Sequence, residues 1–199
     1  MFGESLELSD SDREDIALVR KVRKGERDAF TSLVDRHQGR IFNFTYQFFR
    51  NPDLAAELTQ ETFLRVFRFI RKFDTKRKFS TWIFSIAKNI CIDEHRKLDR
   101  NRTVSLEDLP RQSSKHSDSL HHRDPSDISI RNEERLLLEE AVVLLPEKYR
   151  AAIILCYFQE LTYQEVADAL GLSLNLVKVR IFRAKKMLLE ILRKDAGDE

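Results

Sequence analysis

Residues 161–186 read LTYQEVADALGLSLNLVKVRIFRAKK, two helical phrases separated by a single glycine. Thr162-Tyr163-Gln164-Glu165 is a capping box, a hydroxyl at the cap with a carboxylate three residues on. Val166, Ala167 and Leu170 follow on one helical face. Gly171 supplies the conformational freedom of a tight turn, and Ser173 suits the cap of the next helix. Ala167 is small where two helices cross, and Val177 fills the space between them. This spacing predicts a helix-turn-helix. Leu174, Val177, Ile181, Ala184, Leu188 and Ile191 step 3-4-3-4-3, which makes one buried stripe. Off it lie Asn175, Lys178, Val179, Phe182, Arg183 and Lys186. Residues 178–194 hold seven bases and one acid. Such a helix can neutralise phosphates and reach base edges in the major groove. Phe182 beside the stripe suits either a thymine methyl or the core.

The rest of the chain is organised around this motif. Its 199 residues carry a formal net charge of only +2. The charge is partitioned, however: −4 over residues 1–12, +8 over 13–98, neutral over 99–132 and −2 over 133–199. Such asymmetry says more about partners than the total does. At 42% hydrophobic and 34% charged residues, the composition describes a folded, highly charged protein. No 18-residue apolar run predicts a membrane span, and the acidic N-terminus is unlike a secretory signal, so a cytoplasmic location is expected. Cys91 and Cys156, among apolar neighbours, read as buried thiols. With five Gly, four Pro and helical periodicity in most long segments, the expected fold class is all-α, two small helical domains joined by a flexible linker.

The first domain is expected over residues 13–98. Asn51-Pro52 marks a helix start, Asn as cap and Pro in the first turn. Glu57, Glu61, Arg65, Arg68 and Lys72 share one side of that helix, acids first and bases last, as its dipole favours. Residues 65–78 contain seven bases and one acid, interleaved with aromatics that continue to Phe79 and Trp82. Cations among planar side chains suit single-stranded DNA, whose unstacked bases need partners. For Phe67 the core is the expected place. The next helix buries Ile83, Ile86, Ala87 and Ile90 and presents Ser85, Asn89, Asp93 and Arg96. Residues 99–132 hold seven Ser, two Pro and three His (His116, His121, His122). They read as a solvated tether able to span roughly 110 Å at ~3.3 Å per residue. A second domain is expected over 133–194, with an acidic tail at 1–12 and a short tail at 195–199.

Taken together, the motifs resemble the extracytoplasmic-function (ECF) sigma factors of bacterial RNA polymerase, the minimal class with only regions 2 and 4. Region 2 resembles Gly25–Phe30, Asn51-Pro52-Asp53 through Gln60-Glu61-Thr62-Phe63, and Phe79-Ser80-Thr81-Trp82 through Ala87-Lys88-Asn89. Region 4 resembles Leu145-Pro146, Leu161-Thr162-Tyr163 through Ala167, and Val177-Lys178-Val179-Arg180 through Arg183-Ala184. The resemblance implies a non-enzymatic promoter-recognition factor of a stress or envelope-response regulon, without cofactor or metal. It implies that Glu57, Gln60 and Glu61 meet the clamp coiled coil of core RNA polymerase, and that region 4 meets the polymerase flap. The implied minus-10 contacts on single-stranded DNA are Asp74, Thr75, Lys76, Arg77, Lys78, Phe79, Trp82, Ser85, Lys88 and Asn89. The implied minus-35 contacts on duplex DNA are Ser173, Asn175, Lys178, Val179, Arg180, Phe182, Arg183 and Lys186. An anti-sigma factor is the implied regulatory partner, able to hold the chain at the inner membrane without membrane insertion of its own.

The chain departs from the family pattern at Asn175-Leu176, often Gly-Thr, at Val179, often Ser, at Ser85, often basic, and in a connector without the usual Gly. A repressor or activator with a sensory N-terminal domain is a second class, but a +8 block with an aromatic-basic connector is unlike a ligand pocket. Nothing in the chain matches a phosphate loop, metal-ligand spacing or nucleophile-base motif.

Overall fold

Capping chemistry sets most helix boundaries in this protein. The structure, a computed structural model, describes residues 8–105 and 128–195, and among these it contains eight α-helices and no strand. Sequence readings on 1–7, on 106–127 with His116, His121 and His122, and on 196–199 lie outside the described residues.

Helix α1 spans Asp10–Arg23, and Ser9 and Asp12 close a capping box on it. The acids of the expected tail are therefore partly its first turn, where the dipole favours negative charge. Gly25, at φ 96°, turns the chain into α2, Arg27–Phe49. Asn51 caps α3, Pro52–Phe69, by accepting from the Leu54 amide at 3.0 Å. A single 3-10 turn, Ile70–Lys72, ends α3 before the connector. Helix α4 runs over Phe79–Ser105, past the expected end at Leu98. Lys97 to Glu94 at 2.9 Å and His95 to Asp99 at 3.0 Å support this extension, since partners three and four apart share a helix face.

The second half begins with α5, Ile128–Val143, so residues 128–132, expected in the tether, are helical. Helix α6, Glu147–Ile153, continues into a wider π-turn over Ile154–Phe158. Helices α7, Tyr163–Leu170, and α8, Leu174–Asp195, form the helix-turn-helix.

Each half has an apolar centre, Phe44, Phe48 and Ile83 in the first and Leu145, Ile153 and Ile181 in the second. The two centres join into one cluster, with α4 packed along α7 and α2 against α5. Burial is the main stabilising term here, about 1.5–3 kcal/mol for each large apolar side chain removed from water. Among the described residues no helix is long and apolar enough to cross a membrane.

Candidate nucleic-acid interface

The helix-turn-helix forms from its caps inward. Thr162 Oγ1 accepts from the Glu165 amide at 3.3 Å, while Glu165 Oε2 accepts from the Thr162 amide at 2.9 Å. Gly171 stands at φ 66° and ψ 41°, the left-handed conformation the turn requires. Ser173 Oγ then accepts from the Leu176 amide at 3.3 Å and starts α8. Ala167, Val177, Ile181, Ala184 and Leu188 are buried between the helices; Leu174, at the helix start, is 36% exposed and leaves the expected stripe. Asn175, Lys178, Val179, Arg183 and Lys186 all face solvent, and Arg180 is half-buried. Phe182 is 72% exposed, which removes it from the core and leaves it free for an external apolar contact. Arg183 lies near Tyr149 of α6 and lowers the pKa of its hydroxyl, helped by the nearby Lys148 charge.

The connector between α3 and α4 is a built turn. Asp74 Oδ1 accepts from the Lys76 amide at 3.0 Å, and the Arg77 amide donates to the Asp74 carbonyl at 3.0 Å. Lys76 and Arg77 are exposed and Thr75 is half-buried. Phe79 differs from its expected role: it is fully buried, its ring 5.6 Å from Phe73, 5.7 Å from Trp82 and 5.2 Å from His37. It anchors the loop and has no face for an unstacked base. Trp82 is half-buried on the same cluster, 5.0 Å from Phe73. Ser85 returns its hydroxyl to the Trp82 carbonyl at 2.6 Å. Asn89 is exposed and accepts from Lys88 Nζ at 2.6 Å. Burial lowers the Lys88 pKa, and the nearby Arg180 charge lowers it further.

Lys78 is committed within the protein. Its ammonium lies 2.9 Å from Glu165 Oε1, on α7, and 3.4 Å from Asp12 Oδ2, on α1. The hydrogen bond to Glu165 holds the Lys78 pKa above its ordinary range against the opposing effect of burial. Burial tends to raise the Glu165 carboxyl, but hydrogen bonds from Lys78 and Thr162 outweigh it and the pKa falls.

On α3, Glu57 and Gln60 are exposed; Glu61, half-buried, accepts from Arg65 at 2.8 Å one turn on. Phe67, expected in the core, is 59% exposed. It lies one position past Val66, off the buried line of Leu58, Thr62 and Val66, so the helix turns it outward. There it meets Phe30 edge-on at 5.0 Å and, with Gln60, Phe63 and Leu64, lines an apolar groove of about 500 Å³ beside Glu57 and Glu61.

Sequence reasoning missed the residues that hold the connector in place. Arg23 of α1 donates to the Ile70 carbonyl at 3.1 and 3.0 Å and also to the Phe73 carbonyl. Buried Asp15 accepts from Arg36 Nε at 2.8 Å and pairs with His37 Nε2 at 2.8 Å, beneath the Phe79 ring. These partners are 21 to 50 positions apart, beyond the reach of periodicity.

The geometry is matched by comparison with known proteins. The family description "Sigma-70 region 2" fits residues 33–101, and "Sigma-70, region 4" fits residues 135–188. The ECF RNA polymerase sigma factor SigW of Bacillus subtilis is 34% identical over 181 residues, covering 88% of this chain and 95% of its own. The chain belongs to the ECF RNA polymerase sigma factors. This family acts in transcription initiation and is a non-catalytic, DNA-binding regulatory class. The ECF sigma-E factor of Haemophilus influenzae is 28% identical over 178 residues, covering 87% of this chain and 93% of its own. Among solved structures, CnrH in complex with the cytosolic domain of CnrY superposes with a TM-score of 0.66 at 24% identity, over 92% of this chain and 99% of its own. RpoE in complex with the anti-sigma factor NepR from Bartonella quintana gives 0.60 at 22%, over 82% and 96%. These two likenesses support the two-part helical fold of a sigma factor.

Proposed function

We propose that this sigma factor docks core RNA polymerase through Glu57, Gln60 and Glu61, reads the minus-35 duplex with α8, and captures the minus-10 single strand with its connector and α4. The observation that carries this reading is the α8 face: Asn175, Lys178, Val179, Phe182, Arg183 and Lys186 are all presented to solvent on a helix started by the Ser173 cap. In the duplex step, Lys178 and Arg183 meet phosphate or guanine edges, and Phe182 meets a thymine methyl. In the strand step, Lys76 and Arg77 track the backbone while Asn89 and the exposed edge of Trp82 meet bases. Phe79 serves as the buried anchor of that loop. Binding unstacked bases offsets the cost of opening the duplex, on the order of a few kcal/mol by analogy with base flipping. No bond is made or broken by this chain.

The apolar groove of Phe30, Phe63, Leu64 and Phe67 extends the polymerase face and suits a helical partner. Relatives solved in complex with CnrY and with the anti-sigma factor NepR support an anti-sigma partner for this chain as well. Action beside polymerase places the chain in the cytoplasm.

Lys178→Ala and Arg183→Ala test the duplex step. Loss of a base-edge pair is expected to cost about 1–3 kcal/mol, and loss of a phosphate contact to flatten the salt slope of log affinity by about 0.9. The measurement is fluorescence anisotropy of minus-35 duplex binding across a salt series. Unchanged affinity and slope in both variants would exclude α8 as the reading helix.

A further inference from the structure

Helix α1 turns charge inward. Asp12, Asp15, Val19 and Arg23 follow one another at steps of three, four and four, which puts them on one face. Asp12 and Asp15 are 7% and 2% exposed, as deep as Ile16 and Val19 beside them, and Arg23 is half-buried. Buried charge is costly unless it is paired, so the partners say what this face is for. Each leads to the connector. Arg23 donates Nε and Nη2 to the Ile70 carbonyl at 3.1 and 3.0 Å, and Nη2 also to the Phe73 carbonyl. These carbonyls lie at and just past the turn that ends α3, where the helix dipole concentrates partial negative charge. Asp15 pairs with His37 Nε2 at 2.8 Å, and the His37 ring lies 5.2 Å from that of Phe79. Arg36 Nε fixes the other Asp15 oxygen at 2.8 Å. Asp12 Oδ2 lies 3.4 Å from Lys78 Nζ.

The three charges thus meet the connector at both of its ends. Arg23 holds Phe73, the residue before Asp74, and Asp15 acts through His37 on Phe79, the residue after Lys78. The Phe73 and Phe79 rings close the base of the loop edge to face at 5.6 Å. Between these fixed ends Lys76 and Arg77 stay exposed. A loop with fixed ends and an open tip loses less conformational freedom on taking up a ligand than a free one does. We propose that the charged inner face of α1 is a positioning element for strand capture, with Arg23 as its principal residue, setting the geometry of residues 74–78 without touching DNA. The inference rests on the proposed capture role of the connector. It gives a part in promoter opening to a helix outside the polymerase, minus-10 and minus-35 contacts.

Arg23→Ala in the full-length chain tests this in two ways. Limited trypsin digestion of the chain alone reads cleavage after Lys76 and Arg77. Its rate should rise about tenfold, since the loop opens more easily once a charge-assisted hydrogen bond is lost. With core polymerase added, permanganate oxidation of unpaired thymines reads the opening of a promoter fragment recovered by transcription from fragmented genomic DNA. Apparent affinity scales with the competent fraction of the loop, so opening should weaken by a similar factor, about tenfold. Core binding and minus-35 duplex affinity should keep their wild-type values, which a general loss of folding would lower together. Arg23→Lys keeps the charge without the two-pronged guanidinium and should fall between Arg23→Ala and the wild type. Circular dichroism confirms folding, and if Arg23→Ala does not fold, Arg23→Gln reads the same two quantities. Wild-type protection of the connector in a folded Arg23→Ala chain would overturn the hold of α1 on the loop. Faster cleavage with wild-type opening would overturn its part in capture. The joint change Lys76→Ala and Arg77→Ala separates the two readings. Wild-type opening there rejects the connector as the capture loop, whereas impaired opening there with wild-type opening in Arg23→Ala rejects the positioning role alone.

Discussion

Phe79→Ala is expected to lower the stability of the chain by about 3–5 kcal/mol, the range for truncating a buried aromatic without collapse of the cavity. Phe79 is fully buried beneath the connector, with Phe73, Trp82 and His37 around it. Its loss leaves a void between α2 and α4 and removes three ring contacts together. The measurement is a denaturant melt, with the midpoint falling and the slope unchanged. Phe79→Leu keeps apolar volume but no ring; it should show a smaller loss and near wild-type promoter opening once folded. If Phe79→Ala melts like the wild type while Phe79→Leu cannot open promoters, Phe79 is a base-stacking residue and its place as an anchor is wrong.

The second large effect concerns polymerase docking. The double change Glu57→Lys and Glu61→Lys should weaken binding to core polymerase by at least ~30-fold, taking about 2–5 kcal/mol for disrupting a desolvated interfacial charge pair. Both side chains lie on one face of α3, and Glu61 is only partly held by Arg65 at 2.8 Å. That half-exposed pair, one turn apart on a helix, contributes little to folding, so stability should change by less than about 1 kcal/mol. Minus-35 duplex binding by the isolated chain should stay at the wild-type level. A pull-down with core polymerase reads the first effect and anisotropy reads the second. Retained core binding would remove the acidic face of α3 from the polymerase contact.

What the sequence made legible follows from how far each physical signal reaches. The capping box at Thr162 and Glu165, the turn at Gly171, the cap at Ser173 and the restart at Asn51-Pro52 are local, three or four residues long, and they set the helix ends where expected. The exposed face of α8 was legible from period and charge. Phe67 was misplaced because hydrophobicity alone put it inside, whereas the α3 stripe through Val66 turns it outward. Phe79 was misplaced because motif position says nothing about which neighbours close over a ring. The halves' packing was hidden for a further reason: Lys78 and Glu165 stand 87 residues apart, Arg50 and Glu139 stand 89 apart, and each reads alone as an ordinary surface charge. Glu165 shows this most clearly, since its role in the cap was visible and its grip on Lys78 was not.

The same pairings alter the meaning of the near-neutral charge. Cations in the two basic segments are partly offset by acids placed within reach of them, as Lys78 is by Asp12 and Glu165. Non-specific affinity grows with the number of phosphates a protein can neutralise, so a chain whose cations are partly paired internally should bind DNA weakly by itself.

The central claim, that this chain directs polymerase to promoters through two separately placed elements, is tested most directly by transcription from fragmented genomic DNA with purified chain and core polymerase. The account predicts initiation at a discrete set of start sites sharing an upstream duplex element and an opened element at constant spacing, only when both components are present. Core polymerase that neither binds the chain nor starts at new sites in its presence would contradict it.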